Sequence, residues 1–369
     1  MDITLPILIL GTILLTHLTF VNINIGLGFY SLILRWRSLS NPETSKPARI
    51  TFKFLAASEV VSGVYGTMIT VVLAGFWPTL VNIAAIILFI PLMISILGII
   101  IRLTSIAAYW YTWDKVNPRI HLLIGVLMAF SGLLIPAGFR YIFAFINNPT
   151  GLTSLNPVSG NILEAFANPV YPPLLLHTWL GALSIGFLVA SAGLAWSSRK
   201  DEAISKWSGY ASLLGGLMII PQGLAGFWFW STLSFHSPYL FYSINKSFLP
   251  SGHSLTDVSY TFLGMVLLAV VILTLGIIHH YQPSKRWIAY SLAILAVATL
   301  ILGEITHDIG RLPYMVIIGE EGIPVELFIN RLLILEPTLI ISGLSAIIFF
   351  TAIFILLLYL YLVKGVLHE

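Results

Sequence analysis

Residues 287–311 read WIAYSLAILAVATLILGEITHDIGR, an apolar stretch that is long enough to cross a bilayer and ends in ionisable residues. Glu304, His307, Asp308 and Arg311 recur at spacings of three and four, which places them on one stripe of a helix. Ionisable side chains at membrane depth are costly, so each is a candidate functional residue. If this stripe faces other helices, its carboxylate, imidazole and guanidinium groups could hold iron and neutralise porphyrin propionates. The alternative is that this helix end reaches the lipid headgroups and that its charged side chains form ion pairs for solubility.

The whole chain has the same apolar character as this stretch. Of its 369 residues, 58% are hydrophobic and 9% charged, and the mean hydropathy is +0.95, too apolar for a water-soluble fold. A bilayer core requires about 20 apolar residues per helix. The sequence therefore predicts an all-α polytopic membrane protein, with a single integral domain over residues 1–369. Nine transmembrane helices are predicted at residues 5–34, 50–75, 79–112, 119–146, 173–198, 204–230, 258–281, 287–308 and 331–363.

The basic residues predict how these helices are oriented. Thirteen of the eighteen Lys and Arg residues follow odd-numbered spans and so lie on one side of the membrane. The positive-inside bias puts that side in the cytoplasm, with the N-terminus outside and the C-terminus inside a multi-pass cell-membrane protein. The net charge of +3 follows from this topology, and no nucleic-acid partner is expected. The first apolar stretch lacks a basic n-region and a cleavage site, so we expect it to be retained.

The absence of cysteine restricts the cofactor chemistry. Without thiols the chain has no disulfides, iron–sulfur clusters, thiolate haem ligands or covalently attached haem. Any haem would therefore be held by His, Met, carboxylate or Tyr. No internal repeat is evident, and no soluble domain interrupts the spans.

Two isolated imidazoles lie at the same predicted membrane level as residues 304–311. His17 lies in the outer half of span one, and His177 begins span five at the outer face. Each could be hydrogen-bonded within a packed core, or each could be a haem iron ligand. Arg140, near the outer end of span four, could snorkel to headgroups or meet a propionate.

Two further charges fall in the cytoplasmic half of the membrane. Glu59 in span two and Arg102 in span three are predicted to form a buried ion pair, with proton uptake through Glu59 as the alternative. His121, His279 and His280 lie at the cytoplasmic ends of their spans, where we expect contact with interfacial water.

Three motifs in chain order resemble those of subunit I of cytochrome bd-type quinol oxidases. The likeness covers roughly residues 5–36, 113–210 and 283–316. The motifs are His17-Leu-Thr-Phe-Val-Asn-Ile-Asn-Ile-Gly-Leu-Gly-Phe, Asn168-Pro169-Val170 followed by His177-Thr178, and Gly310-Arg311-Leu312-Pro313-Tyr314.

The resemblance implies a fold, a set of cofactors and partners. The fold would be two four-helix bundles plus a peripheral ninth helix, and the partner a subunit II-like membrane protein. Electrons would pass from membrane quinol through a low-spin haem b to a high-spin haem b and haem d, and then to oxygen.

The resemblance also implies roles for individual residues. His17 would ligate a haem of the oxygen site and His177 the low-spin haem, while Asp308 would replace a haem-ligating Glu of the family. Met265 is the candidate second ligand of the low-spin haem. The predicted catalytic residues are Glu304, Asp308 and Arg311, and the predicted cofactor-binding residues are His17, Arg140, His177, Met265, His307, Asp308 and Arg311.

The chain departs from the family pattern at three places. Two family glutamates near the oxygen site fall at Ile94 and Arg102, and the connection at 231–257 is short where the family's quinol-binding loop is long. The family's methionine aligns with Leu263, and Met265 lies about 200° further round the helix. One alternative is a bd-like electron-transfer subunit that serves another partner without reducing oxygen. Another is a transporter whose buried charges line a substrate path.

Overall fold

The structure, a computed structural model, describes residues 4–329 except 199, 200, 247 and 253, together with a few isolated positions further on. Eight helices in this described part are long and apolar enough to cross a membrane. They match the first eight predicted spans, apart from a break in the third. The predicted ninth helix at 331–363, and with it the count of nine, lies outside the described residues.

Eleven α-helices, two 3₁₀ turns and four short strands make up the described part of the chain. In chain order they are α1 Thr4–Arg37, a 3₁₀ turn Pro42–Thr44, α2 Ser45–Phe76, α3 Pro78–Ile86, α4 Phe89–Tyr111, α5 Pro118–Asn147, β1 Leu152–Leu155, β2 Val158–Gly160, α6 Ile162–Phe166, α7 Tyr171–Ser197, α8 Glu202–His236, α9 Pro238–Asn245, α10 Ser259–Tyr281, α11 Arg286–Ile309, β3 Tyr314–Ile318, β4 Glu321–Pro324 and a 3₁₀ turn Val325–Leu327.

The predicted third span, residues 79–112, is wrong as a single helix. It divides into α3 and α4 at Ile87 and Leu88. Pro91, in the first turn of α4, has no amide hydrogen and its ring is incompatible with a helical carbonyl four residues earlier, at Ile87. The Leu88 amide instead donates to the carbonyl of Ile83 at 3.2 Å, so the chain turns before it continues as α4.

The long helices form two groups of four. In the first group α1 contacts α2 and α5, and α5 contacts α4; in the second, α7, α8, α10 and α11 contact one another in a closed ring. The groups meet where α1 crosses α7 at Gly26 and Gly186. A Cβ at Gly26 would lie 2.5 Å from the Gly186 Cα, so the two backbones are in direct contact. Small residues permit such close approach between membrane helices.

A charged contact joins the same two groups at the predicted cytoplasmic side. Asp201 caps α8 by accepting from the Ile204 amide at 3.3 Å, and it also accepts from Lys46 Nζ at 2.9 Å. The hydrogen bond from Lys46 lowers the pKa of Asp201 below its usual range. Both side chains are partly exposed, so the pair contributes less than about 1 kcal/mol.

Small β-hairpins cover the opposite end of the helices, an addition to the predicted all-α fold. β1 pairs with β2, and β3 pairs with β4, both antiparallel. Val316 and Ile317 of β3 are fully buried, and Tyr239 of α9 donates to the Leu312 carbonyl at 2.6 Å. The segments after α5 and α11 are therefore folded, and they cover the helix ends.

Candidate functional site

Of the four ionisable residues at the end of α11, Glu304 and His307 contact α5, while Asp308 and Arg311 pair with each other. Arg311 Nη2 lies 2.8 Å from Asp308 Oδ1, and His307 Nδ1 lies 3.4 Å from the same oxygen. Glu304 and Arg311 are buried, at 9% and 8% exposure. The burial of these two residues argues against the alternative in which this helix end reaches the headgroups.

Arg140 of α5 joins this cluster from the neighbouring helix group. Its Nη2 lies 3.4 Å from Glu304 Oε1, and its guanidinium stacks over the Phe143 ring at 4.6 Å. With 7% exposure, Arg140 is buried, so the predicted alternative of snorkelling to headgroups is wrong. The contact links the last turns of α5 and α11.

Arg311 has two buried nitrogens that lack a partner among the described residues. Nη2 binds Asp308, whereas Nε and Nη1 have no hydrogen-bond acceptor in the described part of the chain. Buried donors are almost always satisfied, because an unpaired one costs about 1–3 kcal/mol. Nε and Nη1 lie on different sides of the guanidinium, so each can donate one charge-assisted hydrogen bond to a carboxylate oxygen such as that of a haem propionate.

Asn147 is a site residue that sequence reasoning missed. Its Nδ2 lies 2.8 Å from His307 Nε2, at the last residue of α5. Because Nε2 accepts from Asn147, the His307 proton is on Nδ1 and faces Asp308. Both ring nitrogens are therefore engaged, and His307 can position Asp308 but has no free nitrogen for iron. Asn147 follows Arg140 by seven residues, two turns further along the same face of α5, and that spacing was the available signal.

His17 is held in one orientation by α2. Its Nδ1 lies 2.9 Å from the carbonyl oxygen of Ser62, and its ring packs on Gly66, where an added Cβ would meet Cε1 at 3.0 Å. A carbonyl oxygen only accepts, so Nδ1 carries a proton and donates it to Ser62. Nε2 has no hydrogen-bond partner among the described residues.

His177 is held by α8 in the same way. Its Nδ1 lies 3.1 Å from the carbonyl oxygen of Gln222, and its ring packs on Gly226, where an added Cβ would meet Nδ1 at 3.0 Å. Here too the described protein leaves Nε2 without a hydrogen bond. Each imidazole thus presents one free nitrogen in a fixed direction, as haem-ligating histidines do.

The two histidine sites repeat one local arrangement. Ser62-Gly63-Val64-Tyr65-Gly66 on α2 and Gln222-Gly223-Leu224-Ala225-Gly226 on α8 each supply a carbonyl at the first position and a glycine at the fifth. In each group the first helix carries the histidine and the second carries this pentapeptide. Sequence reasoning found no repeat because only two glycines are shared.

Met265, and not Leu263, faces the interior of the second helix group. A Cβ at Gly303 of α11 would lie 3.3 Å from Met265 Sδ, whereas Leu263 is 53% exposed. Met265 and His177 each lie six residues after the start of their helices, and Gly303 six before the end of α11. At 1.5 Å per residue, all three are about 9 Å below their helix ends.

The predicted site residues do not form one bonded cluster. Within the described chain neither His17 nor His177 bonds to the residues of α11, although Arg140 is close enough to interact electrostatically with His177 and Asp308. Among the described residues no group of three His, Asp or Glu side chains could hold a bare metal ion.

The predicted Glu59–Arg102 ion pair is present. Arg102 Nη2 lies 3.3 Å from Glu59 Oε2, and Arg102 is 1% exposed. The expectation that His121 and His279 contact interfacial water is wrong, since both are fully buried. His121 accepts from Arg35 Nε at 3.1 Å, and His279 Nδ1 lies 2.7 Å from the Ser212 hydroxyl.

Fold and site together define a polytopic helical membrane protein with a buried polar site near one end of its helices. A family profile described as cytochrome bd terminal oxidase subunit I matches residues 8–249. The chain belongs to the cytochrome bd terminal oxidase subunit I family.

Two comparisons extend this assignment. A putative cytochrome bd menaquinol oxidase subunit I of Bacillus subtilis (strain 168) is 23% identical over 242 residues, which span 61% of this chain and 53% of the relative. The chain thus matches about half the length of that protein. The structure of bd oxidase from Geobacillus thermodenitrificans superposes with a TM-score of 0.83 at 16% identity, covering 98% of this chain and 97% of that one. The fold is therefore that of a bd oxidase subunit.

Proposed function

We propose that the chain is the haem-carrying subunit of a cytochrome bd-like terminal oxidase, passing electrons from membrane quinol to oxygen. The repeated histidine arrangement supports this proposal most strongly. Two imidazoles, each fixed by a carbonyl and packed on a glycine, leave Nε2 without a partner among the described residues in two separate helix groups. Neutral imidazole is a common haem ligand, and a hydrogen bond from its second nitrogen sets the ring orientation.

The remaining predicted residues fit around these imidazoles. His177 and Met265 would hold a low-spin haem b, and His17 a haem of the oxygen site, a high-spin haem b or haem d. Asp308 Oδ1 contacts both Arg311 and His307, so Oδ2 would be the oxygen that ligates iron. Haem supplies the one-electron oxidation and reduction that the side chains lack.

Two arginines would neutralise the propionates. Arg311 Nε and Nη1 are buried and lack a partner among the described residues, so each can donate a charge-assisted hydrogen bond to a propionate oxygen. Arg140 would contribute a second positive charge, with Glu304 holding its guanidinium in place. Glu304, Asp308 and Arg311 form the catalytic set of the proposal.

The orientation and partners complete the proposal. The N-terminus lies outside and the C-terminus in the cytoplasm, so the haem-binding end of the helices faces outward. A subunit II-like protein in the same bilayer is the expected partner. Quinol would release its protons outside, and oxygen would take protons from the cytoplasm.

A second candidate function is haem-based electron transfer to another partner without oxygen reduction. Arg102 favours it, because a buried cation stands where the resembling family has a glutamate near the oxygen site. The connection between α8 and α10 also favours it, since it contains the eight-residue helix α9 and no long loop.

Difference spectra test both candidates. Reduced-minus-oxidised spectra of the purified complex, recorded with and without carbon monoxide, count the haems and show whether one iron is open to a gas. The oxidase predicts haem bands and a carbon monoxide shift. Haem bands without that shift support the electron carrier, and complete absence of haem bands rejects both in favour of a transporter.

A single variant tests the ligand assignment. His177→Ala removes the free Nε2, so the low-spin haem bands should be lost while the protein still inserts in the membrane. His236→Ala, which changes an exposed histidine at the end of α8, is the matched control and should retain them. Full low-spin bands in His177→Ala would reject the assignment.

A further inference from the structure

The four long helices of the first group contain a single carboxylate. Glu59 of α2 is the one Asp or Glu residue within the sequences of α1, α2, α4 and α5. Carboxylates are among the few side chains that exchange protons near neutral pH once their environment is adjusted. Glu59 is therefore the one carboxylate inside these four helices that could exchange a proton.

Glu59 lies directly beneath the His17 site. It precedes Ser62, whose carbonyl orients His17, by three residues, a rise of about 4.5 Å along α2. Residues three apart share a helix face, so Glu59 points to the same side as the contact with His17. The two side chains are close enough to interact electrostatically, without a direct bond.

Arg102 is anchored independently of Glu59. Its Nη1 donates to the Met128 carbonyl at 2.5 Å, and its Nη2 donates to the Asn24 carbonyl at 2.9 Å. Gly28 and Gly132 leave room for the guanidinium, since an added Cβ would meet Nη1 at 3.1 and 2.8 Å. The guanidinium therefore keeps two carbonyl partners whichever protonation state Glu59 adopts.

Glu59 is held more loosely than its partner. One carboxylate oxygen lies 3.3 Å from Arg102, and the Glu59 side chain is 14% exposed against 1% for Arg102. Asn24 of α1, whose carbonyl accepts from Arg102, has a buried side-chain nitrogen. This Nδ2 atom has no partner among the described residues. A buried polar atom of this kind is typically satisfied by an ordered water, which could carry protons to the carboxylate.

We propose that Glu59 takes up one proton when one electron enters the His17 site and releases it when the electron leaves, with Arg102 as its positioning residue. The electron comes from the quinol of the proposed function; an O–H bond forms on the carboxylate as an O–H bond of a hydrated proton in the adjacent water breaks, and on reoxidation the carboxyl O–H bond breaks and the proton returns to water. The described charged or titratable groups facing Glu59 from other helices are His17 of α1 and Arg102 of α4. This inference rests on the proposed function, because it requires a redox group at His17.

The test is the pH dependence of the haem midpoint potentials in the purified complex. In the natural protein the potential of the high-spin haem should fall as pH rises, and reduction should produce a protonated-carboxyl band in infrared difference spectra. Glu59→Gln, which keeps the side-chain shape, should lose both signals while the low-spin haem is unchanged. Asp201→Asn, at the surface pair with Lys46, is the matched control and should keep both.

Two further variants keep the proposal falsifiable. Glu59→Asp should retain the pH dependence and shift the carboxyl band, and the double variant Glu59→Gln with Arg102→Met removes both charges if the single change prevents folding. Unchanged pH dependence in a haem-loaded Gln variant overturns the role of Glu59 and leaves the proposed function intact. A protein without haem overturns both.

Discussion

At the scale of single residues, the structure specifies which atoms remain available for a cofactor. His17 and His177 each commit Nδ1 to a carbonyl, while His307 commits both nitrogens to Asn147 and Asp308. The three histidines thus divide into two whose Nε2 has no partner among the described residues and one whose ring nitrogens are both engaged. The hydrogen bond made by one nitrogen determines what the other can do.

Arg311→Lys tests the propionate assignment. Lysine keeps the positive charge but lacks the fixed planar guanidinium that directs Nε and Nη1 toward acceptors while Nη2 binds Asp308. Hydrogen bonds to charged groups contribute about 1.5–3 kcal/mol, so haem retention should weaken by about 10- to 100-fold. The measurement is the haem-to-protein ratio after detergent purification, with Arg119→Lys at the opposite end of the helices as control. Equal retention in both variants would contradict the assignment.

Much of the site could be predicted from sequence, because ionisable residues are conspicuous in apolar helices. The level of His17, His177 and the α11 stripe follows from counting residues into each span. The pairing of Arg140 with Glu304 could not be predicted, since it depends on which faces of α5 and α11 meet. Whether Met265 or Leu263 faces the interior of the second helix group also depends on how the helices pack.

At the scale of helices, glycines determine where the imidazoles can lie. Gly66 and Gly226 contact His17 and His177, whereas a Cβ at Gly63 or Gly223 would meet no atom of the described chain within 4 Å. Each pentapeptide therefore contains one glycine that is required for packing and one that is not.

Gly226→Ala and Gly223→Ala form a matched pair on α8. The added methyl at Gly226 would meet the His177 ring at 3.0–3.1 Å, so the ring must move, at a cost of about 1–3 kcal/mol. The low-spin haem bands should weaken or shift in Gly226→Ala. Gly223→Ala should leave them unchanged and stabilise the helix by up to about 1 kcal/mol. Identical spectra for the two variants would show that this contact does not position His177.

Apolar length predicted the eight helices of the described chain, because a membrane helix must satisfy its own backbone. Shorter elements could not be recognised in this way. The break at Ile87 and Leu88 depends on Pro91, and helices often tolerate a proline; α5 and α8 both contain one, Pro136 and Pro221. The hairpins after α5 and α11 are too short to produce a hydropathy signal.

At the scale of the whole molecule, the two helix groups are similar in construction and firmly joined. Each has its histidine on the first helix and its glycine pentapeptide on the second, and the fourth helices meet through Arg140 and Glu304. Backbone contact between Gly26 and Gly186 fixes α1 against α7. This contact would hold the two proposed haem sites at a fixed separation.

The absence of cysteine makes the proposed orientation directly testable. Ser40→Cys, exposed after α1, should react with a membrane-impermeant maleimide only from the cytoplasmic side. Ser159→Cys, exposed on β2, should react only from outside. The natural chain has no thiol and serves as the background control. The reverse labelling pattern would show that the positive-inside prediction is wrong for this protein.

The most direct test of the central claim is a cryo-electron microscopy map of the purified complex that resolves side chains. The claim is that imidazoles of α1 and α7 hold iron porphyrin near the outer ends of the two helix groups. The account predicts planar density joined to Nε2 of His17 and of His177, with a propionate at Arg311. Protein side chains packed against both Nε2 atoms, with no planar density beside them, would contradict it.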